Sequence, residues 1–248
     1  MNLYRIFLDS IFPRRCPVCG EIVNSFDFSL TDRKSPEELI CPECRKEISF
    51  VKEPVCSKCG KQVALPSVKL CHDCANRARL FGKGTALLNY NELSERMTVD
   101  IKYNNKREYI RPLAGLLALR AEGFFRDRGT DALIPVPVHE SRRRVRGYNQ
   151  AQLIAEEVSV LSGIPVRNDL LVRTRRTAAM KELDPGQRYE NLRNAFAVNP
   201  EHTKMPRHPV LVDDIYTTGA TVNACAKVLK EAGADEVDFI SLCIGSEI

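Results

Sequence analysis

Eight of the ten cysteines stand in four pairs of one spacing: Cys16/Cys19, Cys41/Cys44, Cys56/Cys59 and Cys71/Cys74. A C-x-x-C turn brings two thiolates to one ion, and two such turns close a tetrahedron. One pair alone could be a redox couple. Four within the first 74 residues point instead to two metal sites, each with four cysteine ligands. Such sites offer no open coordination position to a reactant, so their role is structural. Zinc is the reading, and an iron–sulfur cluster is its rival. Spacing leaves the pairing open between consecutive pairs, first with second and third with fourth, and interleaved ones. Gly20 and Gly60 each follow a pair, where a knuckle turn needs positive φ. His72 is a bystander, because the cysteines already fill both sites. Cys225 and Cys243 have no partner nearby in sequence and read as small buried apolar residues.

A second constellation runs from Val210 to Thr221, as VLVDDIYTTGAT. Three apolar residues form a buried strand, with Asp213 and Asp214 at its C-terminal end, where open parallel sheets bind ligands. The small-residue loop that follows runs into a helix N-terminus, which offers backbone N–H groups and a favourable dipole to a phosphate. Paired acids beside a phosphate cradle make sense if the ligand also presents sugar hydroxyls. A ribose 5-phosphate group has both parts.

This stretch resembles the phosphoribosyl pyrophosphate (PRPP) motif of type I phosphoribosyltransferases, with Pro209 and Tyr216 as departures from its usual apolar residues. The chain also carries, in order, Pro135-Val136-Pro137-Val138-His139, Arg146-Gly147-Tyr148-Asn149-Gln150-Ala151, Leu183, Arg188, Asn191 and Ala195-Phe196. Together with the cysteine pairs, these residues are similar to the ComF family over nearly the whole chain. Met180 stands where that family usually carries Gln. The resemblance implies that Asp213 and Asp214 hold the ribose hydroxyls and that Thr217, Thr218, Gly219, Ala220 and Thr221 hold the 5-phosphate. It places the pyrophosphate, with Mg2+, at a loop beginning near Val138 and His139, with Arg142 and Arg146 close by. It makes residues 173–188, Arg188 included, a mobile loop over PRPP. Lys102 matches a family position of open role, and no catalytic residue is assigned.

These residues require a scaffold, and the pattern supplies one. Residues 1–80 read as a double zinc-ribbon module. Its leader spaces Leu3, Ile6, Phe7 and Ile11 as a short amphipathic helix would. An irregular loop follows between Cys19 and Cys41. Residues 81–248 alternate strands and helices. Strands are expected at 85–90, 131–138, 170–172, 210–212 and 237–244, and helices at 92–103, 110–125, 149–162 and 221–232. Such alternation indicates an α/β fold, a parallel sheet flanked by helices, and the resemblance implies a type I phosphoribosyltransferase-like sheet.

Net charge is +5, from 37 basic and 32 acidic residues, too mild to name a partner. The basic residues nevertheless gather in three knots: Lys102, Lys106 and Arg107; Arg142, Arg143, Arg144 and Arg146; and Arg173, Arg175 and Arg176. Tyr148 is either a stacking face for a base or a core tyrosine. No apolar run approaches the ~20 residues of a membrane helix, and the first twelve residues lack a signal-peptide core. A cytoplasmic protein is expected. Three functions follow. The resemblance favours a protein of DNA uptake and transformation that binds PRPP and single-stranded DNA, with competence or recombination proteins as further partners. The second is a working phosphoribosyltransferase, which requires acceptor-dependent pyrophosphate release. The third is a zinc-ribbon adaptor with a regulatory PRPP-binding domain, whose partner binding would survive loss of both acids.

Overall fold

The computed structural model describes residues 15–23, 40–174, 192, 194–201 and 204–246. The elements are α1 (Pro42–Glu47), α2 (His72–Asn76), β1 (Gly84–Asn89), α3 (Glu92–Tyr103), α4 (Ile110–Arg128), β2 (Ala132–Pro135), α5 (Glu140–Arg146), α6 (Gln150–Ser162), β3 (Leu171–Arg173), β4 (Phe196–Val198), β5 (Pro209–Tyr216), α7 (Ala220–Glu231) and β6 (Asp238–Ile244). The leader helix, most of the loop between Cys19 and Cys41, and the expected mobile loop with Leu183, Arg188 and Asn191 lie outside the described residues.

Four strands form a parallel sheet in the order β1-β6-β5-β2. β5 is central, with β6 and β2 on either side, and Val210, Leu211 and Val212 are fully buried. Side chains alternate across it. Val210 and Val212 join a core with α3, α4 and α6, while Leu211 joins one with α7. Helices therefore cover both faces, as parallel strands require. Local chemistry sets the helix ends. Asn91 and Ser94 form a reciprocal capping box at the start of α3, the Asn91 side chain accepting from the Ser94 amide at 3.0 Å. Asn149 caps α6, and Gly163 ends it in the left-handed region.

Three expectations need correction. β5 does not stop after Val212 but pairs with β6 through Tyr216, so both acids lie within a strand. The strand expected near Leu170 forms outside the main sheet and pairs antiparallel with β4. The arginine run 142–146 is helical, not a loop; His139 caps it and Gly147 (φ 79°) closes it.

The cysteine-bearing segments pack into the same two cores. Cys16, Cys44 and Ile48 bury with Leu88, Met97, Tyr109 and Ile110, whereas Cys56, Cys59, Cys71 and Phe81 bury with Tyr216, Ala220 and Phe239. Backbone bonds tie the segments to β1, with the Val51 amide donating to the Leu87 carbonyl (3.0 Å) and the Gly84 amide to the Lys58 carbonyl (2.9 Å).

Candidate functional site

The eight paired cysteines gather as Cys16/Cys19/Cys41/Cys44 and Cys56/Cys59/Cys71/Cys74, with the ligand sulfurs of each set within 4.8 Å of one another. Consecutive pairing is therefore the arrangement. A tetrahedral ion with Zn–S of about 2.3 Å requires S···S edges of about 3.8 Å. Cys19 and Cys41 lie 3.8 Å apart and Cys59 and Cys71 3.5 Å. The donor sets fit one ion each, whereas a multi-iron cluster, with sulfides between its irons, holds its cysteines farther apart. The turns close as their spacing suggests, with Gly20 and Gly60 both at φ 77°. Cys225 and Cys243 are buried, and burial pushes the Cys243 thiol up to about 12.

At the C-terminal half of β5 the two acids find different surroundings. Asp214 meets the Lys102 ammonium of α3 at 2.7 Å, with the side chains only 16% and 18% exposed. Burial works against an ionised Asp214, but the charge and hydrogen bond of Lys102 hold its carboxyl below the ordinary range. Among the described residues, Asp213 receives no such partner. Burial, then the charge of Asp214, pushes its carboxyl well above the ordinary range, although it accepts the Asp214 amide at 2.9 Å. One anion, one carboxyl held toward its neutral form and one ammonium thus share the strand end.

The strand then turns through Thr217 and Thr218 into α7. Gly219 sits at φ 76°, and a Cβ there would lie within 2.8 Å of the Tyr216 ring carbon that bears the hydroxyl. Conformation and close approach both demand glycine. Tyr216 is buried, stacked on Phe239 (centroids 4.5 Å apart) and edge-on to Phe81. Arg79, just past the second cysteine cluster, donates to the Thr218 carbonyl at 2.8 Å. The Lys61 ammonium, paired with Asp73 at 2.6 Å, stands beside Gly245. The loop is thus braced from below by the second metal module.

One member of each basic knot reaches this site. Lys102 bonds Asp214, and the charge of Arg146 reaches both partners of that pair. Arg173 lies within electrostatic reach of Asp213 and Arg142. Val138 and His139 lie between β2 and α5. The His139 ring Nδ1 accepts the Ser141 amide at 3.2 Å, so this nitrogen caps α5. The Asn149 side chain donates to the Val136 carbonyl at 3.1 Å and fixes the start of this connection. Tyr148 is a core tyrosine, 7% exposed, its hydroxyl donating to the Ile101 carbonyl. Sequence reasoning left the role of Lys102 open and missed Arg79, because both act through contacts distant in sequence.

Replacing Lys102 with Met is expected to lower stability by about 3 kcal/mol near neutral pH, since removing one partner of a buried pair leaves the other charge uncompensated. In the native protein the lowered Asp214 carboxyl contributes stability above the unfolded-state value and loses it as pH falls through the lowered folded value. In the variant, Asp214 is buried with no paired cation and only the charge of Arg146 nearby, and that penalty disappears as acid protonates it. The gap between the two proteins should therefore be widest near neutral pH and narrow toward pH 4. Denaturant melts at both pH values check this; an equal gap at both would assign Lys102 to packing alone.

A double zinc ribbon domain family matches residues 7–75. Competence protein F of Haemophilus influenzae is 35% identical over 145 residues, covering 57% of this chain and 63% of that protein. DNA utilization protein YhgH of Escherichia coli K12 is 34% identical over 146 residues, covering 58% and 63%. Competence protein ComFC of Streptococcus pneumoniae is 34% identical over 111 residues, covering 44% and 46%. The chain thus spans less than two thirds of the length of the curated relatives it matches. Among solved structures, a purine phosphoribosyltransferase from Pyrococcus horikoshii aligns with a TM-score of 0.32 at 15% identity, covering 52% of this chain and 79% of that one. The protein TT1426 from Thermus thermophilus aligns at 0.33 and 16% identity, covering 56% and 85%. No helix among the described residues is long and apolar enough to cross a membrane.

Proposed function

We propose, from its likeness to competence protein F, YhgH and ComFC, that this chain is a ComF-family protein that binds PRPP and takes part in handling single-stranded DNA during DNA uptake, in the cytoplasm. One observation carries the sugar-phosphate part of this reading. Two inequivalent carboxylates, one paired with Lys102 at 2.7 Å, lie in the C-terminal half of the central strand, which leads through Tyr216 into a Thr-Thr-Gly loop and α7. Asp213 and Asp214 accept hydrogen bonds from the ribose hydroxyls. The Thr217–Thr221 backbone and hydroxyls take the 5-phosphate at the start of a helix, whose dipole favours an anion. Val138, His139, Arg142 and Arg146 border the pyrophosphate. Magnesium enters with the pyrophosphate as its counter-ion. The two cysteine clusters hold structural zinc. The DNA part follows the relatives, whose names speak of competence and DNA utilization, and Lys102, Arg146 and Arg173, which reach this strand.

A ligand series tests the site. PRPP should bind more tightly than ribose 5-phosphate, and ribose 5-phosphate more tightly than its 2-deoxy analogue. A hydrogen bond to a charged acceptor is worth about 1.5–3 kcal/mol, so the missing hydroxyl should cost roughly 10- to 150-fold in Kd. Equal binding of the ribose and deoxyribose phosphates would remove the acids from sugar recognition.

A further inference from the structure

Tyr103 ends α3 with its side chain 66% exposed. Large aromatic side chains seldom stand this open, and this one is held in place. The Arg146 guanidinium lies 5.0 Å from its ring centroid and donates to its hydroxyl at 3.1 Å. Arg146 is fixed in turn by donating to the buried Gln150 side chain at 3.2 Å. One residue before Tyr103, Lys102 anchors the helix end to Asp214. A second staple joins the same two segments. Arg107 lies over the Tyr148 ring, 4.1 Å from its centroid, and close against Gly147. The end of α3 and the C-terminal half of α5 thus form one continuous ridge.

Its charge is lopsided. Arg107, Arg143 and Arg144 project from the ridge, with Lys106, Arg142 and Arg146 partly buried beside them. Among the described residues, two acids pair with these cations. Glu140 accepts from Arg144 at 3.1 Å, and Glu108 lies 3.9 Å from Lys106. Among the cations, Val145 is 85% exposed. An open ring and an open aliphatic side chain set among cations that outnumber the acids paired with them fit a chain that alternates flat apolar faces with phosphates.

We infer that single-stranded DNA runs along this ridge, with one base stacked on Tyr103 and its phosphates on Arg107, Arg143 and Arg144. The assignment rests on the DNA part of the proposed function and gives it a surface. Stacking on an exposed ring selects unpaired bases, since a duplex keeps its faces occupied. It also moves the aromatic platform from Tyr148, which the fold buries, to Tyr103. Because Arg146 holds the ring in advance, a base meets a platform that need not be ordered on binding.

The test uses the full chain with its zinc and a labelled oligothymidylate, read by anisotropy across a salt series. Three phosphate contacts should give a log–log slope of roughly −2, at ~0.7 per contact on single strands. Tyr103→Ala should weaken binding roughly tenfold with the slope unchanged, and Tyr103→Phe should restore most of it. Arg107→Ala should flatten the slope by ~0.7. Glu140→Gln, which frees Arg144, should tighten binding. Ultraviolet crosslinking of the unmodified protein should place thymine on the peptide containing Tyr103, a readout independent of how any variant folds. Crosslinks confined to the cysteine-bearing segments, or oligothymidylate bound equally by wild type and Tyr103→Ala, would overturn the ridge while leaving DNA binding intact. A loss from Tyr103→Ala that appears equally on duplex DNA would overturn base stacking. Failure of the wild type to bind the oligonucleotide would overturn the ridge and the DNA reading together, without touching PRPP.

Discussion

Replacing Cys59 with serine is expected to weaken sugar-phosphate binding and remove one metal ion, whereas replacing Cys19 removes a metal ion and leaves that binding intact. Both residues are ligands of four-cysteine clusters. A structural zinc in a small module contributes on the order of 10–16 kcal/mol to its folding, so loss of a ligand loosens the module. The consequences differ because the clusters pack on opposite faces. The second shares a core with Phe81, Tyr216 and Phe239, and from its border Arg79 holds the Thr218 carbonyl at 2.8 Å. The first packs with Met97, Tyr109 and Ile110 on the other face. In Cys59→Ser, PRPP affinity should fall at least ~10-fold, a change of about 1.4 kcal/mol, and amides from Tyr216 to Ala220 should exchange faster. Protection of Ile154 and Val158 in α6 should persist and show that the sheet is intact. Unchanged PRPP affinity in Cys59→Ser would contradict the brace, as would a larger loss in Cys19→Ser.

Some of this architecture was legible from spacing because the chemistry is local. Four C-x-x-C pairs read as two tetrahedral sites without any knowledge of the fold, but their pairing depended on how the chain returns. The helix over 92–103 was visible from its own periodicity and bounds. Asn149 and Gly163 likewise mark α6 by local cap and stop chemistry. The helix over 140–146 carried signals that were outweighed: a capping His139, a Glu140–Arg144 pair at helical spacing and Gly147 as its stop. Four arginines following two prolines read as a loop. β5 runs past Val212 because β6 pairs with it through Tyr216, and tertiary pairing overrides the poor strand preference of two aspartates. β4 is three residues of a small antiparallel pair, too short for periodicity to reveal. The pairing of Lys102 with Asp214 joins residues more than a hundred positions apart, and no local pattern announces it.

The acid pair is where the account is most exposed. Asp213→Asn with Asp214→Asn preserves size and most of the hydrogen-bonding geometry while removing both charges. Each charge-assisted hydrogen bond to a ribose hydroxyl is worth about 1.5–3 kcal/mol, so at a pH high enough to ionise both carboxyls losing two should weaken PRPP binding by roughly two to four orders of magnitude. The pH dependence of the wild type should carry the same signature. Asp213 is held toward its neutral form by burial and by Asp214. Its contribution as a charged acceptor should therefore appear only as pH rises above the ordinary carboxylate range. The direct measurement is calorimetric titration of PRPP, with magnesium, into wild type and the double variant, with metal content and thermal unfolding as checks on the fold. The account predicts measurable binding to wild type and none, or binding weaker by at least ~100-fold, for a double variant that keeps its zinc. Equal affinity in the two proteins would contradict it.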